Sequence, residues 1–303
     1  MKAALSLDLD NKWSYMKTHG DAGWDRFPTY MDVLIPDTLD VFRKLDVKIT
    51  YFVVGQDADL ESNREAFAQL VPAGHEIGNH SFHHEPWMHR RSGPEIDGEL
   101  AQAEESIASA TGRIPCGFRG PGFVRSQTMV DVLASRAYLY DASSLPTFIG
   151  PLARAYYFRS TKLQENERRE RHDLFGQFSD GFHPNRRYPL HANGRVLHEI
   201  PVTTMPGLRV PIHVSYVLYL ATVSPKLALA YFRTAVALCK ITGTEPSILL
   251  HPLDFLSSRQ SPELRFFPGM TLDSGIKRDV VLRVLHILTE DFEVMPLEQF
   301  VRS

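Results

Sequence analysis

The stretch "DTLDVFRKL" (37–45), followed at once by "KITYFVVG" (48–55), decides the fold class. Leu39, Phe42 and Leu45 recur at helical spacing, which predicts a helix with one apolar face. The second run is β-branched and aromatic and ends in Gly55, the pattern of a buried strand. A helix feeding directly into such a strand points to a parallel sheet covered by helices.

The same alternation extends in both directions. "KAALSLD" (2–8) reads as a strand, and "GHEIGNH" (74–80) as a short strand entering a loop. "SGPEIDGELAQAEESIASATG" (92–112) is a helix: Pro94 suits its first turn, acidic residues follow, and Gly112 closes it. "PCGFRGPGF" (115–123) is a strand end and loop, "SQTMVDVLASRA" (126–137) a helix and "YLYDAS" (138–143) a strand. "VLHEIPV" (196–202) and "SILLHPL" (247–253) are apolar strands, with long helices in 224–243 and 279–290 around the second. About seven such units fit the length, in an open sheet or a barrel. Residues from about 146 to 195 break the rhythm. They include "QENERRERHD" (164–173), read as a solvated helix face or loop, with anion binding by Arg168, Arg169 and Arg171 as the lesser alternative.

Composition excludes several classes. The 303 residues are 43% hydrophobic and 23% charged with net charge −3, so a large soluble core is expected and nucleic acid is not expected as a partner. Cys116 and Cys239 have no metal-ligand spacing and read as reduced thiols. No signal peptide or membrane-spanning run is evident, so the expected location is the cytoplasm.

Two clusters carry the chemistry. In an extended "LSLDLD", Asp8 and Asp10 share one face, at the strand end where parallel α/β folds build their sites. One can ligate a cation while the other takes a proton from water. The second cluster is "HEIGNHSFHH" (75–84). His80 and His84 are four apart, so one helical turn would bring both imidazoles together; His83, His75 and His89 are nearby. Two imidazoles and a carboxylate suit zinc or another borderline divalent ion, with a position left for water.

These motifs resemble the polysaccharide deacetylase family, also called NodB-homology or carbohydrate esterase family 4. The match runs through "GHEIGNHSFHH", "FRGPGF", "YLYDASS" and "ILLHPLDF", in the family's order. The resemblance implies one domain over 1–303, a distorted incomplete (β/α) barrel of about seven strands, with an insertion around 146–195. It also implies removal of an N-acetyl or N-formyl group from an amino sugar. Asp10, His80 and His84 would hold one divalent metal: zinc first, with cobalt, nickel, manganese or iron as alternatives. Asp8 would be the base, tuned by Arg119. His251 would be the acid that protonates the leaving amine, oriented by Asp141.

Amide hydrolysis independently asks for an activated water, a stabilised oxyanion and a proton for nitrogen, and His suits the last. Gly122 N–H is a candidate for the oxyanion. Trp87 and Phe123 are candidates for stacking on a sugar, or for packing. Asp254 either supports His251 or caps a turn, and "FFPGM" (266–270) either walls the pocket or forms an ordinary loop.

Two departures stand out. The first motif is Asp-Leu-Asp rather than adjacent aspartates, so the base and ligand roles could be exchanged. Gly122 replaces a common aromatic residue, which weakens the expectation of GlcNAc polymers. "EIPVTTMPG" (199–207) resembles segments of export-cluster deacetylases and of a deformylase for an undecaprenyl-linked aminoarabinose precursor. With the apolar 208–240 segment, it raises a polyprenyl-linked substrate and weak peripheral contact with the inner face of the membrane. The alternatives are a non-sugar amidohydrolase and a silent sugar-binding relative; the presence of both Asp8 and His251 argues against the second. Oligomeric state is left open.

Overall fold

The structure of the protein is a computed structural model that describes residues 1–123, 125–161, 163, 165–170 and 176–303. Among the described residues, nine strands form one curled sheet, an incomplete barrel: β1 (Lys2–Asp8), β2 (Thr50–Val53), β3 (Glu76–Asn79), β4 (Gly117–Phe118), β5 (Tyr140–Asp141), β6 (Tyr188–Ala192), β7 (Arg195–Glu199), β8 (Ser247–Leu250) and β9 (Glu293–Met295). The order is β6-β7-β5-β4-β3-β2-β1-β8, with β9 paired to β1. Among the described residues, these strands pair in parallel except in the β6–β7 hairpin.

Strand β1 lies at the centre because it is apolar on both faces: Ala3, Ala4, Leu5 and Leu7 are all fully buried. Ala4 pairs with Ser247 on one edge and with Met295 on the other, while Ser6 to Asp8 pair with β2. Strand β9 therefore shares an edge of β1 with β2. Each fully buried leucine or phenylalanine here contributes ~1.5–3 kcal/mol of transfer free energy before the cost of ordering the chain.

Helices follow most strands, as the alternation predicts. The helix containing Leu39 and Phe42 starts earlier than read from sequence, at Met31, and continues through Pro36. The helix Gly93–Thr111 has its N-terminus tied by Ser92 N–H donating to Glu95 Oε2 at 2.8 Å, and Gly112 closes it at φ 74°. Gly112 suits that place because left-handed backbone carries no Cβ clash in glycine.

The 146–195 region carries the helix Gly150–Ser160, the short helix Glu165–Glu170 and β6. Arg169 pairs with Glu165 at 2.7 Å on an exposed face. Arg171 lies outside the described residues. The apolar 208–240 segment forms the helices Val214–Ala221 and Pro225–Thr242. They bury Val214, Val217, Leu218, Phe232 and Val236 in the main core, while Leu208, Val223 and Leu227 stay exposed. Among the described residues, no helix is long and apolar enough to cross a membrane. Cys116 and Cys239 are free thiols.

Candidate metal centre and acid–base site

Asp8, Arg119, Asp141 and His251 each end a parallel strand or directly follow one, and the Asp10 and His80–His84 loops leave β1 and β3 at the same rim. Nε2 of His84 and Nε2 of His80 stand 2.9 and 3.2 Å from Oδ1 of Asp10. All three residues are buried. Their ligand atoms lie within 4.8 Å of one another. Burial opposes ionisation of Asp10, but His84 and His80 overcome it and hold its carboxyl well below the usual range.

The loop that delivers the two histidines is not the helical turn expected from their spacing. Ser81 and His84 adopt left-handed backbone, at φ 63° and 50°. Side chains hold this strained turn in place. Asn79 Oδ1 accepts from Ser81 N–H at 2.8 Å, and Ser81 Oγ accepts from His84 N–H at 3.1 Å. Glu99 Oε1 accepts from the N–H groups of Phe82 and His83 at 3.0 and 2.7 Å, and its Oε2 bonds the His83 ring at 2.7 Å. His83 is thereby turned away from the cluster. His75 meets the backbone of Ile49 instead, and burial lowers it to about 4.

Nδ1 of His80 lies 2.6 Å from the carbonyl of Arg119. A carbonyl can only accept, so Nδ1 carries the proton and Nε2 keeps its lone pair for the cluster. Arg119 is fully buried and also fixes Asp8. Its NH1 donates to Asp8 Oδ1 at 2.7 Å and to Ser6 Oγ at 2.8 Å, and its Nε donates to the Ala142 carbonyl at 2.9 Å. The guanidinium lies 4.3 Å from the centroid of Phe52. Phe52 lies flat across its strand partner Gly78, where a Cβ would stand 2.5 Å from the ring. Gly78 thus admits the ring on which Arg119 rests. The other oxygen of Asp8 faces Nε2 of His80 at 3.9 Å.

His251 differs from expectation in its support. Its Nδ1 meets Ser215 Oγ at 2.9 Å, and Ser215 donates to Asp254 Oδ1 at 2.7 Å. The His251 N–H donates to Asp254 Oδ2 at 2.8 Å. Asp141 instead bonds Ser143 and is the register partner of Glu199, so the expected Asp141–His251 pairing is replaced by Asp254 acting through Ser215. Asp254 sits in the same short turn as His251, which puts its carboxylate beside the His251 N–H and Ser215. Lys277 pins that turn by donating to the carbonyls of Leu253 and Leu256 at 2.8 and 2.7 Å. Burial and the neighbouring His251 lower His213 to about 3, so it stays neutral beside that ring.

Sequence reasoning missed Tyr15, Tyr30 and Ser215. Tyr30 donates to the Asp10 carbonyl at 2.5 Å. Burial, then the charges of Asp10, Tyr30 and Asp254, raise the Tyr15 hydroxyl well above its usual range. No local signal marks these three; each lies in an ordinary amphipathic or apolar stretch. Phe267 packs edge-on against Tyr15 at 4.9 Å, so "FFPGM" backs the site. Trp87 lies 5.9 Å from the Lys17 ammonium. Gly122 and Phe123 form a left-handed turn directly after Arg119-Gly120-Pro121, at φ 78° and 59°. A second donor group, Glu76, Cys116 and Glu298, is a poor metal centre. Glu76 already accepts from Thr50, Tyr140 and Glu298 N–H, and burial raises the Cys116 thiol to about 12.

Residues 21–140 match the sequence profile described as polysaccharide deacetylase. The peptidoglycan deacetylase of Helicobacter pylori is 30% identical over 128 residues, 42% of this chain and 41% of that protein. The peptidoglycan-N-acetylmuramic acid deacetylase of Bacillus subtilis is 33% identical over 84 residues, 28% of this chain and 31% of that protein. The chitooligosaccharide deacetylase of a Bradyrhizobium is 34% identical over 103 residues, 34% of this chain and 44% of that protein. The matches thus span less than half of each relative. A Mycobacterium smegmatis structure assigned to the polysaccharide deacetylases superposes with a TM-score of 0.63 at 18% identity, covering 99% of this chain and 88% of that one. An allantoinase superposes at 0.60 and 15% identity, covering 99% and 89%; both likenesses show the fold alone. Profile and relatives agree with the motif order and the donor set: over residues 21–140 this chain resembles the polysaccharide deacetylases.

Proposed function

We propose that this protein is a metal-dependent hydrolase that removes an N-acetyl or N-formyl group from an amino sugar. One observation carries the reading: the Nε2 atoms of His80 and His84 converge on Asp10, with Asp8 facing the same imidazole of His80. Two imidazoles and an ionised carboxylate, with the His80 tautomer fixed from behind, fit a borderline divalent ion, zinc first. Bound there, such an ion supplies Lewis acidity for a water and for the amide carbonyl.

The chain's own residues do the rest. Asp8, held by Arg119, accepts the proton of the attacking water. His251 donates a proton from Nε2 to the departing nitrogen, while Ser215 and Asp254 hold Nδ1 and stabilise the imidazolium. Gly122 N–H is the candidate donor to the oxyanion, and Trp87 and Phe123 are candidate walls for the sugar. The peptidoglycan and chitooligosaccharide deacetylases among the relatives support an N-acetylated sugar as the substrate class.

The finer part of the proposal is a soluble or polyprenyl-linked intermediate, met in the cytoplasm or at the inner face of the membrane. Exposed Leu208, Val223 and Leu227 support weak apolar contact with such a carrier. The test is turnover by remetallated enzyme on N-acetylated and N-formylated amino sugars, each free and polyprenyl-linked. Equal turnover with and without the lipid would remove the carrier. Hydrolysis of a cyclic ureide or imide and of no sugar would replace the sugar reading altogether.

A further inference from the structure

Asp141 and Glu199 are register partners on β5 and β7, and both are fully buried. Arg125 donates to Glu199 Oε2 at 2.7 Å and to the Tyr188 hydroxyl at 3.2 Å. Ser144 N–H donates to Glu199 Oε1 at 3.0 Å. Asp141 Oδ1 is bonded by the Ser143 hydroxyl, while its buried Oδ2 has no partner. Two buried carboxylates beside one guanidinium leave an uncompensated charge if both ionise. A proton kept on Glu199 and offered to Asp141 Oδ2 removes that charge and fills the vacant acceptor. Burial first, then the Asp141 charge, push Glu199 up to about 8, in agreement with this arrangement.

The pair also holds Arg119 in place. Ser143 Oγ accepts from Gly120 N–H at 2.7 Å, and the Ala142 carbonyl accepts from Arg119 Nε at 2.9 Å. We infer that Asp141 and Glu199, the latter bonded to Arg125, share a single proton and act as positioning residues for Arg119, and through it for Asp8, which rests on the reading of Asp8 as the base. Once that proton is lost, two negative charges face each other in a buried site, with one guanidinium held to Glu199. The 142–144 segment is then forced apart, and Arg119 loses an anchor. The charged and titratable groups that face the pair are Arg125 from the chain after β4 and Tyr188 from β6; Ser143 and Ser144 are neutral.

The decisive variant is Asp141→Asn. Its amide can donate permanently to an ionised Glu199, and its oxygen still accepts from Ser143. In the wild type, Glu199 holds its proton up to about 8 when folded but only to the ordinary 4.5 when unfolded. Stability therefore falls as pH rises through that window, because the folded state binds the extra proton. Thermal midpoints measured across it should fall less in Asp141→Asn than in wild type. The alkaline fall in turnover, taken relative to each enzyme's own plateau, should move up by about one pH unit or more, in line with the removal of a titration this far displaced. If Asp141→Asn does not fold, Glu199→Gln, another permanent donor, is read in the same way. Parallel midpoint curves would show that no proton is shared. A flattened midpoint curve with an unmoved alkaline limb would overturn the link to Arg119. Absence of sugar turnover in the wild type would strike the functional reading and leave the midpoint result standing.

Discussion

The Nδ1–H of His80 donates a hydrogen bond to the backbone carbonyl of Arg119, 2.6 Å away, and so turns Nε2 toward Asp10. The residue that orients the ligand by its backbone grips Asp8 with its side chain. One buried arginine therefore holds both His80, the proposed ligand, and Asp8, the proposed base.

The first prediction concerns the metal. His84→Ala and Asp10→Asn should lose stoichiometric zinc in elemental analysis after remetallation. His83→Ala should keep it, because His83 is engaged by Glu99 at 2.7 Å. Wild-type zinc in His84→Ala would end the assignment.

Replacing Asp8 separates base from ligand. Asp8→Asn should bind zinc as wild type does while turnover falls roughly 10²-fold or more, the range for loss of a positioned base. Loss of zinc in this variant alone would mean that Asp8 and Asp10 hold each other's roles.

The acid side makes a graded prediction. His251→Ala should cost roughly 10²-fold in kcat. Ser215→Ala should cost less and act on kcat more than on KM, since Ser215 only relays Asp254 to the imidazole. Ser215→Thr should restore part of the loss. A Ser215→Ala enzyme with wild-type kcat would return the support of His251 to another residue.

Lys277 makes a prediction about stability. Burial lowers its ammonium to about 8 from 10.5, with Asp254 acting the other way. Between those values the unfolded chain binds the extra proton, so this residue makes stability rise with pH across that window. Lys277→Met should remove that rise in chemical denaturation and destabilise the fold at neutral pH. Each buried carbonyl left without its donor costs ~1–3 kcal/mol. A rising limb unchanged in Lys277→Met would assign it to another group.

Much of the fold was legible in the chain because its signals are local. An apolar run such as "KITYFVVG" can be satisfied only inside a sheet, and Ser92, Glu95, Pro94 and Gly112 mark helix ends through backbone chemistry within one turn. The helix reaches back beyond 37–45 to Met31, through Pro36, because Met31, Leu34 and Ile35 are buried in the core. The histidine pair was legible from composition, but its geometry was not. Four-residue spacing suggested a helical turn, and the bonds from Asn79, Ser81 and Glu99 hold a left-handed turn instead.

The sequence by itself determined the strand-and-helix alternation, the parallel sheet and the types of side chain available for chemistry. These depend on periodicity and residue type, which act over a few neighbours. Tertiary structure alone decided who partners whom. His251 is served by Ser215, 36 positions away, and Asp141 faces Glu199, 58 positions on, because strand order and register bring them together. A buried polar group must find a partner wherever the fold provides one, and burial is a property of the assembled sheet, which no short stretch of the chain contains.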